Sequence, residues 1–256
     1  MPKVKVNGIE TYYKEQGSGD EPIIFVHGGG SCAGVWQEVM SMLPANYHAY
    51  APDLRGHGEM ADVVENFTYP QMADDVYHFS RQLGLGKFVC AGTSMGSGVT
   101  IQLALDHPEV LKAQILGSGA SQHRSATWRS PKARAAQGAA RKSLFVGQPV
   151  EWFLQLREKY AKVMREEARR RDENWRILPE LQYEEDVIDR IREIKVPTLM
   201  LIGGRDPGHT PERALPIARA ITGAKMVFFE DEGHLMPVES PQRVVNEITS
   251  FVSQLG

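Results

Sequence analysis

A serine flanked by glycines, an aspartate and a histidine, namely Ser94, Asp206 and His234, each follow a short apolar run that reads as a β-strand. A serine hydroxyl is a weak nucleophile until a base takes its proton as it attacks, and that base must be held in one tautomer. A carboxylate beside an imidazole does this, so the three residue types together could transfer an acyl group. Loops at the C-terminal ends of parallel strands share one edge of a sheet, where the three could converge. The serine has the sharpest local signature: Phe88 to Ala91 reads as a strand, Val99 and Leu103 recur at helical spacing, and Gly92-Thr93-Ser94-Met95-Gly96 joins them. A strand that turns at once into a helix strains the corner residue, and glycines on either side leave room for neighbouring backbone. This is the G-x-S-x-G nucleophile elbow. It raises the hydroxyl above the sheet at a helix N-terminus, where N–H groups and the dipole favour developing negative charge.

Positioning such residues takes an alternating α/β chain, and the apolar pattern supplies one. Val4 and Val6, then Thr11 and Tyr13, alternate around Asn7-Gly8, so the sheet begins with an antiparallel hairpin, followed by a loop over 16–20. Pro22 to Val26 is a continuous apolar run ending in His27-Gly28-Gly29-Gly30, whose glycines permit the close backbone approach an oxyanion donor needs. A short helix over Trp36 to Leu43 and a strand over His48 to Pro52 lead to Asp53-Leu54-Arg55-Gly56-His57-Gly58. Thr68 to Leu83 has a helical apolar face at Met72, Val76 and Phe79, with Asp74 and Asp75 expected on its polar side, solvated or capping a local charge. After the elbow helix, Val110 to Leu116 gives another strand.

From 121 to 195 no strand is legible; Trp128, Trp152 and Trp175 and a stripe at Trp152, Leu156, Tyr160 and Val163 indicate a helical insertion. Its local excess of lysine and arginine is read as a solvated helix face. The α/β rhythm returns with an amphipathic turn through Ile191 and Ile194, then the strand Thr198 to Ile202, which opens onto Gly203-Gly204-Arg205-Asp206-Pro207. The next helix is expected to start near Pro216, since that proline would break one begun at Glu212. The strand Lys225 to Phe229 and an amphipathic helix through Val244, Val245, Ile248, Phe251 and Val252 close the chain. The pattern divides it into a core at 1–120 and 196–256 and a helical cap at 121–195.

The 256 residues suffice for one domain with an insertion, and a net charge of −3 gives no reason to expect a nucleic-acid partner. The two cysteines, Cys32 and Cys90, lack metal-ligand spacing, no His-x-x-x-His occurs, and Gly28 to Gly30 lack the Gly-Lys-Ser/Thr of a phosphate loop. Neither a metal nor another cofactor is therefore expected. With no apolar signal core at the start and no apolar run long enough for a bilayer, the chain reads as cytoplasmic, without membrane association. Oligomeric state is not legible.

Five motifs in this order, HGGG at 27–30, DLRGHG at 53–58, GTSMG at 92–96, GGRDP at 203–207 and EGHLMPVESP at 232–241, resemble the α/β-hydrolase superfamily over nearly the whole chain. The resemblance implies a mostly parallel eight-stranded sheet flanked by helices, with a helical cap. It makes Ser94 the nucleophile, His234 the general base and acid, and Asp206 the residue that orients the imidazole. It gives the oxyanion hole to the backbone N–H groups of Met95 and Gly29, with Gly30 beside them, and makes His27 and His57 braces for the surrounding loops. His209, three residues after Asp206, stands near the site by sequence. Gly30, Trp128, Trp152 and Trp175 are the expected lining of a substrate pocket. The implied activity is cofactor-free hydrolysis of a small-molecule carboxylic ester or lactone through an acyl-enzyme. The alternatives are a carbon–carbon bond hydrolase or enol-lactonase of aromatic breakdown, in which Arg124, Arg129 or Arg157 binds a substrate carboxylate, a perhydrolase or haloperoxidase, and a non-catalytic receptor. Relatives with an aspartate nucleophile are excluded by Ser94.

Overall fold

The computed structural model describes residues 1–119, 158–159, 190–206 and 208–255. Strands β1 (Lys3–Val6), β2 (Ile9–Gly17), β3 (Glu21–Val26), β4 (Tyr47–Pro52), β5 (Phe88–Thr93), β6 (Leu111–Gly117), β7 (Thr198–Gly203) and β8 (Lys225–Phe229) form one sheet in the order β1-β2-β4-β3-β5-β6-β7-β8. The β1–β2 and β2–β4 pairs are antiparallel and the rest are parallel. The expected opening hairpin is present, turning on Asn7 and Gly8 at φ 48° and 84°. Strand β2 runs on through Gln16 and Gly17, which pair with Ala49 and His48, so the loop expected at 16–20 is shorter.

Helices α1 (Gln37–Ser41), α2 (Tyr69–Gln82), α3 (Met95–Asp106), α4 (Pro211–Ala220), α5 (Met236–Glu239) and α6 (Pro241–Val252) cover the sheet. Alternate residues of each central strand feed opposite faces. Ile24, Phe88, Cys90 and Met200 pack with Met72 and Phe79 of α2 and Leu103 of α3, while Ile23, Phe25, Val89 and Leu201 pack with Met40 of α1 and Ile248 and Phe251 of α6. Burial on both faces is why these strands read as unbroken apolar runs. No helix among the described residues is long and apolar enough to cross a membrane.

Two further expectations are corrected. Helix α4 begins at Pro211 and passes through Pro216 instead of starting there. Pro216 and Glu212 are both exposed, so the carbonyl that loses its N–H partner faces water and the break costs little. Asp75 is not solvated: it sits at the border of the apolar face of α2, where its carboxylate receives Arg55 Nε at 2.7 Å and Nη2 at 2.8 Å and Asn7 Nδ2 at 2.9 Å. Arg55 is 6 % exposed, so removing its partner would strand a buried charge. Asp75→Ala is accordingly expected to lower unfolding free energy by about 3 kcal/mol in urea titration at neutral pH. Asp74→Ala, one residue away but exposed, is expected to change it by less than about 1 kcal/mol.

Most of the segment at 120–189, with Trp128, Trp152, Trp175, Arg124, Arg129 and Arg157, lies outside the described residues. Within it, Lys159 donates to Glu38 Oε2 at 2.7 Å and to the Val238 carbonyl at 2.9 Å, joining the segment to α1 and α5.

Candidate active site

Ser94 stands between β5 and α3 with φ 54° and ψ −120°, in the region that side chains other than glycine rarely enter. Strain of this kind costs on the order of 1–3 kcal/mol and persists only where the surroundings over-determine it. Here the Ser94 N–H donates to the Gly117 carbonyl at 2.8 Å, and the Ser94 carbonyl accepts the Ser97 N–H at 3.0 Å. Ser97 Oγ in turn holds the Gly92 and Gly117 carbonyls, each at 2.9 Å. The flanking glycines are sterically required. A Cβ on Gly92 would lie 2.2 Å from the Gly96 carbonyl oxygen, and one on Gly96 would lie 2.2 Å from that of Val26.

The HGGG loop packs directly on this corner. A Cβ on Gly28 would meet Ser94 Cβ at 3.0 Å, and one on Gly29 would meet Met95 Sδ at 3.5 Å, so Gly29 and Met95 are neighbours. Gly30 follows in the same turn at φ 72°. His27 Nδ1 donates to the Gly28 carbonyl at 2.9 Å and its Nε2 accepts the Leu54 N–H at 3.0 Å, one tautomer serving both bonds. Asp53 accepts the Ala33 N–H at 2.7 Å and the Glu59 N–H at 2.9 Å. His57 Nδ1 donates to the Arg55 carbonyl at 2.9 Å, and its ring meets that of His27 edge-on at 5.0 Å. The HGGG and DLRGHG motifs thus brace each other.

Asp206 follows β7 and His234 follows β8, at the same sheet edge as Ser94. The two loops meet closely: Gly204 N–H donates to Phe229 O at 2.7 Å and Arg205 N–H to Glu232 O at 2.9 Å. Asp206 is 1 % exposed. Its Oδ2 faces His234 Nδ1 at 2.7 Å, while Oδ1 accepts the N–H groups of Gly208 at 2.9 Å and His209 at 3.2 Å. His209 Nδ1 lies 3.2 Å from the same Oδ2, so one carboxylate oxygen serves two imidazoles. Burial alone would raise the Asp206 carboxyl, but hydrogen bonds from His209 and His234, and their charge, hold it well below the usual carboxylate range. Its ionised form therefore stabilises the fold above about pH 4, and that contribution is lost as pH falls through the lowered folded value. Burial pushes the His209 imidazole down, against the pull of Asp206. Asp206, His209 and His234 are the described residues whose donor atoms could hold a metal ion.

A side chain outside the sequence expectations also holds the His234 loop. Glu239, at the end of α5, accepts the Gly233 N–H on Oε2 at 2.5 Å and the Leu235 N–H on Oε1 at 2.7 Å, clamping the backbone on both sides of His234. Burial raises its carboxyl above the ordinary value while the two N–H donors oppose that. The signal was present in EGHLMPVESP, where an acid follows the histidine by one short helix. Glutamine at this position turns an NH₂ group toward one of the two donors. Glu239→Gln is therefore expected to lower kcat by about 10–100-fold with KM changed much less, read by steady-state kinetics on one ester.

A model of the alpha/beta hydrolase family matches residues 23–247. The (E)-2-((N-methylformamido)methylene)succinate hydrolase of Acinetobacter baylyi is 25 % identical over 93 % of this chain and 92 % of its own length. 3-Oxoadipate enol-lactonase 1 of the same organism is 23 % identical over 91 % and 89 %. A solved thermophilic esterase from Thermogutta terrifontis superposes with a TM-score of 0.76 at 25 % identity, covering 99 % of this chain and 98 % of that one.

Proposed function

Because the chain belongs to the alpha/beta hydrolase family, we propose that it cleaves a carboxylic ester or lactone through an acyl-enzyme formed on Ser94. The observation that carries this reading is the 2.7 Å contact between His234 Nδ1 and the buried Asp206 carboxylate, at the sheet edge where the strained Ser94 stands. Held in this way, His234 keeps its Nδ1 proton and offers Nε2 as the base. It takes the Ser94 proton as Oγ attacks the carbonyl carbon, then gives it to the leaving alcohol oxygen. The oxyanion is received by the backbone N–H groups of Met95 and Gly29, at the N-terminus of α3. Water, deprotonated by His234, then attacks the acyl-enzyme and releases the acid together with the Ser94 hydroxyl. None of these steps calls on a cofactor. The segment 121–195 is the proposed cap, with Gly30, Trp128, Trp152 and Trp175 as pocket lining.

A second reading has support from the relatives. Two of them are named for acting on a succinate derivative and on 3-oxoadipate enol-lactone, both of which carry carboxylates. In that case Arg124, Arg129 or Arg157 pairs with the substrate carboxylate. The test compares kcat/KM for p-nitrophenyl esters from acetate to decanoate with that for carboxylate-bearing enol-lactones and dienones. A preference among the neutral esters supports the first reading. A preference of about 100-fold or more for the carboxylate-bearing lactones, lost when the arginines are replaced, supports the second. Turnover of neither class contradicts both.

A further inference from the structure

Asp206 carries a second histidine that the acyl-transfer steps leave unused. His209 and His234 both aim Nδ1 at Oδ2 of Asp206, at 3.2 and 2.7 Å, with their rings 4.9 Å apart. One donor atom from each of the three residues lies within 4.8 Å of the other two. Two imidazole nitrogens and one carboxylate oxygen suit Zn²⁺ and its late first-row neighbours, not Mg²⁺ or Ca²⁺, which prefer oxygen alone. Tetrahedral zinc with bonds of about 2.0 Å spaces neighbouring donors by about 3.3 Å. The Asp206–His209 spacing of 3.2 Å meets that as it stands, His234 at 2.7 Å has to retreat from Oδ2 by roughly half an ångström, and the two imidazole nitrogens, within 4.8 Å of each other, have to settle at the same spacing.

The cluster is also held as a ligand set would be. The N–H bonds from Gly208 and His209 to Oδ1 fix the carboxylate and turn Oδ2 toward the imidazoles. The Asp206 side chain is wholly buried, whereas those of His209 and His234 are 14 % and 28 % exposed, so an ion can enter from the histidine side.

We propose that Asp206, His209 and His234 form a reversible inhibitory site for an imidazole-binding divalent transition ion of the Zn²⁺ type. Each imidazole shifts its proton from Nδ1 to Nε2 as Nδ1 binds the ion, so no proton is gained or lost. His234 then carries hydrogen on Nε2 and cannot accept the Ser94 proton. The binding proposal rests on the geometry of these three residues; the inhibition rests in addition on the proposed role of His234.

The test is a Co²⁺ titration of the untagged chain, read by visible absorption, with Zn²⁺ as competitor and with the rate of Ser94 labelling by a fluorophosphonate measured alongside. One ion per chain is expected, bound at least about tenfold more weakly by His209→Gln and by His234→Gln and unchanged by His48→Gln, each checked for an unaltered thermal midpoint. Zn²⁺ is expected to slow labelling of the parent chain, not of His209→Gln, and a chelator to restore it. No site in the parent chain, or equal affinity in His209→Gln, overturns the proposal. Tight binding that leaves labelling unchanged overturns the inhibition. A chain that never labels on Ser94 refutes the serine reading, while the Co²⁺ titration still decides the site.

Discussion

Replacing Ser94 with alanine is expected to lower kcat for a cleaved ester by about 10⁵-fold. In the proposed mechanism the serine oxygen forms the covalent bond, and among the described residues the adjacent hydroxyls are not placed to replace it: Thr93 is buried at 4 % exposure, and Ser97 Oγ is committed to the Gly92 and Gly117 carbonyls. What survives is the contribution of the oxyanion donors and of substrate binding, which in a serine hydrolase leaves measurable catalysis over water. The fold is expected to hold, because alanine meets the same backbone strain at φ 54° and the bonds that impose it come from backbone groups and Ser97. An unaltered thermal midpoint beside the lost turnover separates chemistry from unfolding. Unchanged turnover would remove Ser94 from the mechanism.

Asp206→Asn is expected to cost about 10⁴-fold in kcat. Each hydrogen-bond partner of this carboxylate among the described residues is a donor: two backbone N–H groups on Oδ1 and two imidazoles on Oδ2. An asparagine amide offers one oxygen, so in either orientation its NH₂ confronts donors. If the oxygen faces the imidazoles, the Gly208 turn loosens. If it faces the turn, His234 loses its acceptor and favours the tautomer with hydrogen on Nε2, which is inactive as a base. Steady-state kinetics of the purified variant, with labelling of Ser94 as a second readout, check this.

The sequence made legible whatever is encoded locally. The alternation of strands and helices, the antiparallel start and the elbow follow from short runs and glycine placement, the eight-stranded sheet from the resemblance, and all are present. Loops after β5, β7 and β8 were expected to share an edge, and the parallel order puts them there. What escaped was set by contacts between distant segments. Asp75 was read from its helical position, and only the arrival of Arg55, from the loop after β4, shows that it is buried and paired. Glu239 acts through the backbone N–H groups of Gly233 and Leu235, so its place in EGHLMPVESP marks an acid near the histidine but not what that acid holds. His209 was noticed for its distance from Asp206 along the chain, but its sharing of one oxygen with His234 is a property of two loops brought together by β7 and β8. Pro216 does not end its helix, because a proline breaks a helix at a cost that depends on whether the freed carbonyl reaches water.

Labelling of the chain with a fluorophosphonate, with the modified residue located by mass spectrometry, tests directly whether Ser94 is the nucleophile. One label per chain is expected, on Ser94, slowed strongly by Asp206→Asn and absent in Ser94→Ala. A label on another residue, or none on a folded chain, would contradict that role for Ser94.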